Sequence, residues 1–200
     1  ILSLLIFWLY PLVSGIVMSF QDVSFSGMKF VGIQHYQKLA RDKFFATAVA
    51  NSVEYMVLTL LLMVPIPMLL AVLMESRLTK ARGVWKVIMY IPALTSVVIS
   101  GMLFRLMFSE GDSSQMNQIL QMLGKAPIPW LKSKGTAWCA LLLLCVWRWT
   151  GVNVLYYVSG LKSIDTSLYE SADIDGASGV QKFWYLTLPL LKPTTVYVVT

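Results

Sequence analysis

The chain alternates between long apolar runs and short polar ones. Ile1 to Phe20, ILSLLIFWLYPLVSGIVMSF, carries no charge. At about 1.5 Å per residue a helix of that length reaches roughly 30 Å, the thickness of a bilayer's hydrocarbon core. No basic leader or small-residue cleavage site accompanies it, so the run predicts a span rather than a signal peptide. A second span is predicted from about Thr47 to Met74, with Glu54 near one end and Pro65-Ile66-Pro67 interrupting the other half. Prolines free helical carbonyls and predict a kink there. The third runs from about Val87 to Phe108, with Pro92 in its first turns and Arg105 near its outer end, where a long stem can snorkel to the interface. The fourth covers about Ala137 to Gly160, and Leu190 to Thr200 opens a fifth that is too short to cross. The expected fold is all-α: a polytopic transmembrane helical bundle with four full spans plus the start of a fifth. It is expected to form a single domain over residues 1–200, incomplete at both ends.

Between the spans, Gln21 to Ala46 is mixed and predicts an amphipathic helix on the membrane surface. Ser109 to Thr136 predicts an outer loop, with Trp130 beside Pro127 and Pro129 as an interfacial anchor. Glu75 to Lys86 carries Arg77, Lys80, Arg82 and Lys86, which favours the cytoplasm. The preceding loop holds Lys29, Lys38, Arg41 and Lys43, so charge alone leaves orientation open.

Composition sharpens this picture. The chain is 57% hydrophobic and 13% charged, against about a quarter charged for soluble domains. A net charge of +6 is spread over loops, which suits orientation and contact with membrane lipid; no basic patch for nucleic acid is formed. Cys139 and Cys145 lie six apart in one apolar run, where helical geometry points them apart. His35 is the only histidine, so neither a metal site nor a catalytic set is expected. No Gly-x-x-x-x-Gly-Lys-Ser/Thr loop, Gly-x-Ser-x-Gly elbow or His-Glu-x-x-His helix occurs, so no nucleotide or other cofactor is expected on this chain and it is not expected to be an enzyme. Glu54 is the only acid inside a span, which disfavours an ion-coupled secondary transporter.

The polar interruption Leu161 to Pro193, LKSIDTSLYESADIDGASGVQKFWYLTLPLLKP, is the chain's most distinctive stretch. It reads as two short helices around a glycine-containing turn. Asp165 or Thr166 can cap the first. Leu168, Tyr169 and Ala172 fall at helical spacing on one apolar face, and Glu170 and Asp173 share another. In the second helix Val180, Phe183, Trp184 and Leu188 share a side, with Gln181, Lys182 and Tyr185 away from it. As plain chemistry, this is a solvated amphipathic loop.

Glu170-Ser171-Ala172, then Asp173-Ile174-Asp175-Gly176-Ala177, then Leu186-Thr187-Leu188-Pro189 resembles the EAA loop of membrane subunits of ATP-binding-cassette (ABC) importers. Tyr169 to Ala177 resembles the carbohydrate-type branch, departing at Ser171, and Asp165 stands where the family often has proline. Weaker likenesses to sugar-type and maltose-transporter-type subunits are carried by Phe30, Gly32, Tyr36, Leu39, Asp42 and Phe45, by Trp85, Pro92 and Arg105, by Asn117, Leu120, Gly124, Trp130 and Leu131, and by Trp147, Gly151 and Gly160. The resemblance implies a type I importer permease, multi-pass in a bacterial-type inner membrane, with residues 161–189 as a cytoplasmic coupling loop. Glu75–Lys86, two spans back, is then cytoplasmic too. It implies that Tyr169, Glu170, Ser171, Ala172, Asp173, Asp175, Gly176 and Ala177 dock on a cytosolic ATPase subunit, which uses ATP and Mg. It further implies a second permease subunit in a heterodimer, an extracytoplasmic solute-binding protein, and a sugar or oligosaccharide as solute. Glycerol phosphate, polyamine or peptide remain alternatives.

The fourth span is the most polar. Arg148 falls near its middle, where a charge costs roughly 2.5–3.5 kcal/mol on insertion scales; it should face water, a partner subunit or a buried acid. Trp147, Asn153, Tyr156 and Tyr157 suit either helix packing or, with Arg148, a sugar path.

Overall fold

The structure is a computed structural model that describes residues 2–24, 27–76, 81–112 and 114–200. The chain falls into two compact units, residues 1–54 and 55–200.

The first unit begins with α1, Leu2–Met18, an apolar helix with a π turn at Leu5–Leu9. A hairpin follows instead of the expected surface helix: β1, Gln21–Ser24, pairs antiparallel with β2, Gly27–Phe30. Its register sets Gln21 against Phe30, Asp22 against Lys29 and Val23 against Met28. The Val31 amide donates to the Phe20 carbonyl at 2.9 Å and extends the ladder toward α1. Only Gln34–Arg41 forms the amphipathic helix, α2. Tyr36 fastens it to the end of α1: its hydroxyl lies 2.6 Å from the Ser19 hydroxyl, and its ring lies 5.4 Å from Phe20.

The helix Lys43–Glu75, α3, is 33 residues long and apolar enough to cross a membrane. Its regular pattern is interrupted at Val64, immediately before Pro65, where the missing amide of proline leaves a carbonyl without its helical donor. In the second unit, the next span divides into α4, Arg82–Leu94, and α5, Val97–Met107, bent by 93°. The expected straight third span is therefore broken. The break falls at Thr95 and Ser96, both with extended ψ near +140°, three residues beyond Pro92, which lies inside α4. After α6, Gln115–Met122, comes the second long span, α7, Lys134–Lys162, of 29 residues. Then follow α8, Thr166–Ile174; α9, Gly179–Lys182; a π turn at Phe183–Thr187 running into α10, Leu188–Leu190; and α11, Lys192–Val199.

The core joins the second half of α3 to α7. Met68, Ala71 and Met74 pack with Val154, Tyr157 and Val158, and Leu191 closes the cluster. Small residues set the helix spacing, as expected where helix association depends on close packing. A side chain at Gly151 would sit 1.8 Å from the Met89 carbonyl, so α4 crosses α7 there backbone to backbone. At the ends of α3 and α4, Glu75 takes Lys86 at 3.0 Å and Arg82 at 3.5 Å, while Arg82 also donates to the Ser76 carbonyl at 2.9 Å. Two of the four cations read as orientation signals thus also clamp these helix ends; Arg77 and Lys80 lie outside the described residues.

Candidate functional site: the loop after the long polar span

The loop is built from local rules. Asp165 caps α8, its carboxylate accepting the Ser167 amide at 2.9 Å, which settles the choice between Asp165 and Thr166. Hydrogen bonds from Ser167 hold the Asp165 carboxyl below its ordinary range. At the other end Gly176, with φ +74°, takes the left-handed conformation that side chains resist. The Ala177 amide then reaches the Ala172 carbonyl at 2.9 Å, and the Gly176 amide reaches Asp173 at 3.1 Å. This pair of bonds is a Schellman closure. The next helix opens with a capping box: Ser178 donates its amide to Gln181 Oε1 at 2.7 Å, and the Gln181 amide returns to Ser178 Oγ at 3.3 Å.

One face of α8 is anchored. Tyr169 and Ala172 are half-buried. The Tyr169 hydroxyl meets Thr187 Oγ1 at 2.9 Å, and Lys182 Nζ meets Asp173 at 2.5 Å. Behind it lies a cavity of about 430 Å³ lined by Glu75 and Ser76 from the end of α3, Leu161 from α7, and Tyr169, Lys182 and Thr187. The ends of Glu75 and the loop thus share one end of the bundle, as the same-side assignment requires. The other face is open. Glu170, Ser171, Asp175 and Gly176 are exposed, and Ala177 is half-buried. Among the described residues Glu170 and Asp175 have no ion-pair partner.

Two sequence assignments change. Leu168 is exposed rather than tucked in with Tyr169 and Ala172. In the second helix Val180 and Trp184 are exposed and Lys182 turns inward, while Phe183 and Leu188 keep the apolar side expected of them. The cause is the π turn, in which the Leu188 amide reaches back five residues to Phe183. The expected Trp184–Leu188 ridge at i,i+4 becomes a Phe183–Leu188 ridge at i,i+5, and Lys182 and Thr187 rotate onto the inner face. Thr187 and Lys182 were missed because a one-residue widening leaves no periodic signal.

The residues of the mid-span polar set do not converge. Trp147 packs on Phe104 at 5.6 Å. Arg148 donates to the Thr95 carbonyl and, at 3.3 Å, to Ser100 Oγ, with its guanidinium 5.5 Å from the Trp149 ring. It therefore meets neutral acceptors, the Thr95 carbonyl at the α4–α5 break and the Ser100 hydroxyl inside α5, a kind of partner not among those expected. Asn153 points to Met63 Sδ at 3.8 Å. Tyr156 makes an edge contact with Tyr197 at 5.0 Å. Tyr157 is fully buried and reaches Thr195 at 3.4 Å. No two of the five residues thus share one of these neighbours.

Residues 49–199 match the family described as binding-protein-dependent transport system inner membrane component. The chain belongs to this family. Its similarity to named permeases extends over its whole length: 44% identity over 200 residues to the arabinooligosaccharides transport system permease protein AraP of Bacillus subtilis strain 168, covering 100% of this chain and 64% of that protein. The AraP of Halalkalibacterium halodurans is 46% identical, with 100% and 63% covered. The trehalose/maltose permease MalF of Thermococcus litoralis is 34% identical, with 96% and 65% covered. The chain therefore spans a little under two thirds of these permeases. A crystal structure of a bacterial ABC transporter that imports the acidic polysaccharide alginate superposes with a TM-score of 0.87 at 27% identity, over 99% of this chain and 67% of that one. The fold is thus a helical membrane bundle with one short hairpin.

Proposed function

We propose that this chain forms part of the transmembrane permease subunit of a binding-protein-dependent ABC importer for a sugar or oligosaccharide. The observation that carries the reading is α8: capped at both ends, fastened on one face by Tyr169 and Asp173, and open on the face that bears Glu170 and Asp175. A helix held this way is a rigid knob about 13 Å long, suited to a groove on a cytosolic ATPase subunit. In this reading Tyr169 to Ala177 are the coupling residues. Two ATPase subunits close on ATP and Mg, α8 moves, and the spans switch from inward- to outward-open. A second permease completes the pore, and an extracytoplasmic binding protein delivers the solute. The chain sits in a bacterial-type inner membrane and does no chemistry itself. Trp147, Arg148, Asn153, Tyr156 and Tyr157 remain candidates for the solute path, with Tyr157 the weakest because it is core.

Similarity to carbohydrate permeases supports the solute class. A second reading, glycerol phosphate, is supported by 28% identity over 98% of the chain to the sn-glycerol-3-phosphate permease UgpA of Agrobacterium fabrum. Vesicles holding the full-length protein and its copurifying subunits decide between them. ATP-dependent uptake of arabinooligosaccharide is expected; uptake of glycerol 3-phosphate alone selects the second reading. Uptake driven by a proton or sodium gradient without any ATPase overturns both.

A further inference from the structure

The hairpin after α1 has its faces arranged the wrong way round for water. Alternation along the strands puts Phe20, Asp22, Lys29 and Val31 on one face and Gln21, Val23, Met28 and Phe30 on the other. The first face turns toward α2: Phe20 and Val31 are half-buried, and Phe20 lies against Tyr36. On the second face Gln21 is half-buried beside α2, but Val23, Met28 and Phe30 beyond it are 56%, 63% and 73% exposed. Bonds hold the arrangement in place. Ser19 meets Tyr36 at 2.6 Å, His35 Nε2 lies 3.2 Å from the Gln21 carbonyl, and Val31 donates to Phe20 at 2.9 Å. The apolar face is thus fixed relative to the end of α1.

We propose that the Val23–Met28–Phe30 face is an interfacial lipid-docking surface, seated at the boundary of headgroups and acyl chains. Gln21 follows Met18, the last residue of the apolar helix α1, by three positions, so with α1 in the membrane the hairpin starts beside the end of the apolar segment. The neighbouring charges fit anionic headgroups: Lys29, Lys38, Arg41 and Lys43 outweigh Asp22 and Asp42. Lys29, flanked by Met28 and Phe30 on the opposite face, can lay its stem along the interface while its ammonium stays wet. The inference depends only on α1 lying in the membrane, not on what the protein transports.

The test uses full-length protein with Cys139→Ala and Cys145→Ala, reconstituted into vesicles and carrying a fluorophore at Met28→Cys. Val23→Cys serves as a second position on the same face, and Asp22→Cys as the comparison on the other. Phosphatidylcholine brominated high on its acyl chains should quench Met28 and Val23 at least about twice as strongly as Asp22. Added phosphatidylglycerol should increase that contrast. Equal quenching at the three positions overturns the proposal. So does protection of Met28 from aqueous iodide that requires an added protein rather than lipid, which would mark the face as a protein contact.

Discussion

Two loops of the second unit use the same parts and end in opposite states. Residues 108–133 and 161–191 each hold a short helix with an oxygen at its N-cap, Ser114 for α6 and Asp165 for α8. Each helix closes on a left-handed glycine, Gly124 at φ +72° and Gly176 at φ +74°, with matching Schellman bonds. The first loop consumes its own polar groups. Asn117 is fully buried: its amide nitrogen donates to the Gly111 and Ile128 carbonyls at 3.2 and 3.1 Å. Its oxygen accepts from the Ile128 amide and Trp130 Nε1 at 3.0 and 2.9 Å. Trp130 in turn stands edge-on to buried Phe108 at 5.3 Å. The second loop spends only one face on itself and leaves Glu170, Asp175 and an 87% exposed Ile174 outside. Similar caps therefore say nothing of role; under the proposed function, what separates the two loops is which polar groups remain unspent.

The largest effect separating the two is expected at Asn117. Asn117→Leu removes four bonds and strands partners with little access to water, each worth about 1–3 kcal/mol when unsatisfied. A loss of about 3 kcal/mol is expected, read as a lowered unfolding temperature of the reconstituted protein, whereas Glu170→Gln should leave that temperature unchanged. Next comes a matched pair. Gly124→Val and Gly176→Val each force a side chain into the left-handed region at a cost of about 1–2 kcal/mol. Similar stability losses are expected, but only Gly176→Val should lower solute uptake per ATP hydrolysed.

The Asp165 cap provides a pH signature. Its folded pKa lies below the ordinary value, so its contribution is complete above the unfolded carboxylate pKa, about 3.9, and is lost as pH falls through the folded value. The stability gap between the natural protein and Asp165→Ala should be flat from pH 8 to 5 and close below about pH 4. The smallest effect is expected from Asp173→Asn. Its bond to Lys182 is largely exposed on the carboxylate side, and such pairs are worth about 0–1 kcal/mol.

Much of this was legible before any coordinates. Hydropathy marked the long spans because a helix that crosses a bilayer needs a continuous apolar run, and Asp165 and Gly176 announced the ends of α8 through local residue chemistry. The hairpin does have a sequence signal, the alternation of polar and apolar residues from Asp22, but it is short and lies within a mixed polar stretch. The 93° break was half visible in Pro92, but the Arg148 side chain that reaches the Thr95 carbonyl comes from another helix, a contact that local sequence does not reveal. The inward turn of Lys182 was invisible, since a π turn changes phase without changing composition.

Cysteine accessibility at the two loops tests the docking claim most directly. In full-length protein lacking its natural cysteines, Ser171→Cys on α8 and Gln121→Cys on α6 are both placed at exposed positions. Each is treated with a membrane-impermeant maleimide in open membranes, with and without the copurifying ATPase subunits. The expected result is that the ATPase slows labelling of Ser171→Cys at least about tenfold and leaves Gln121→Cys unchanged. Equal labelling of Ser171→Cys with and without the ATPase would contradict the assignment of α8 as the coupling surface.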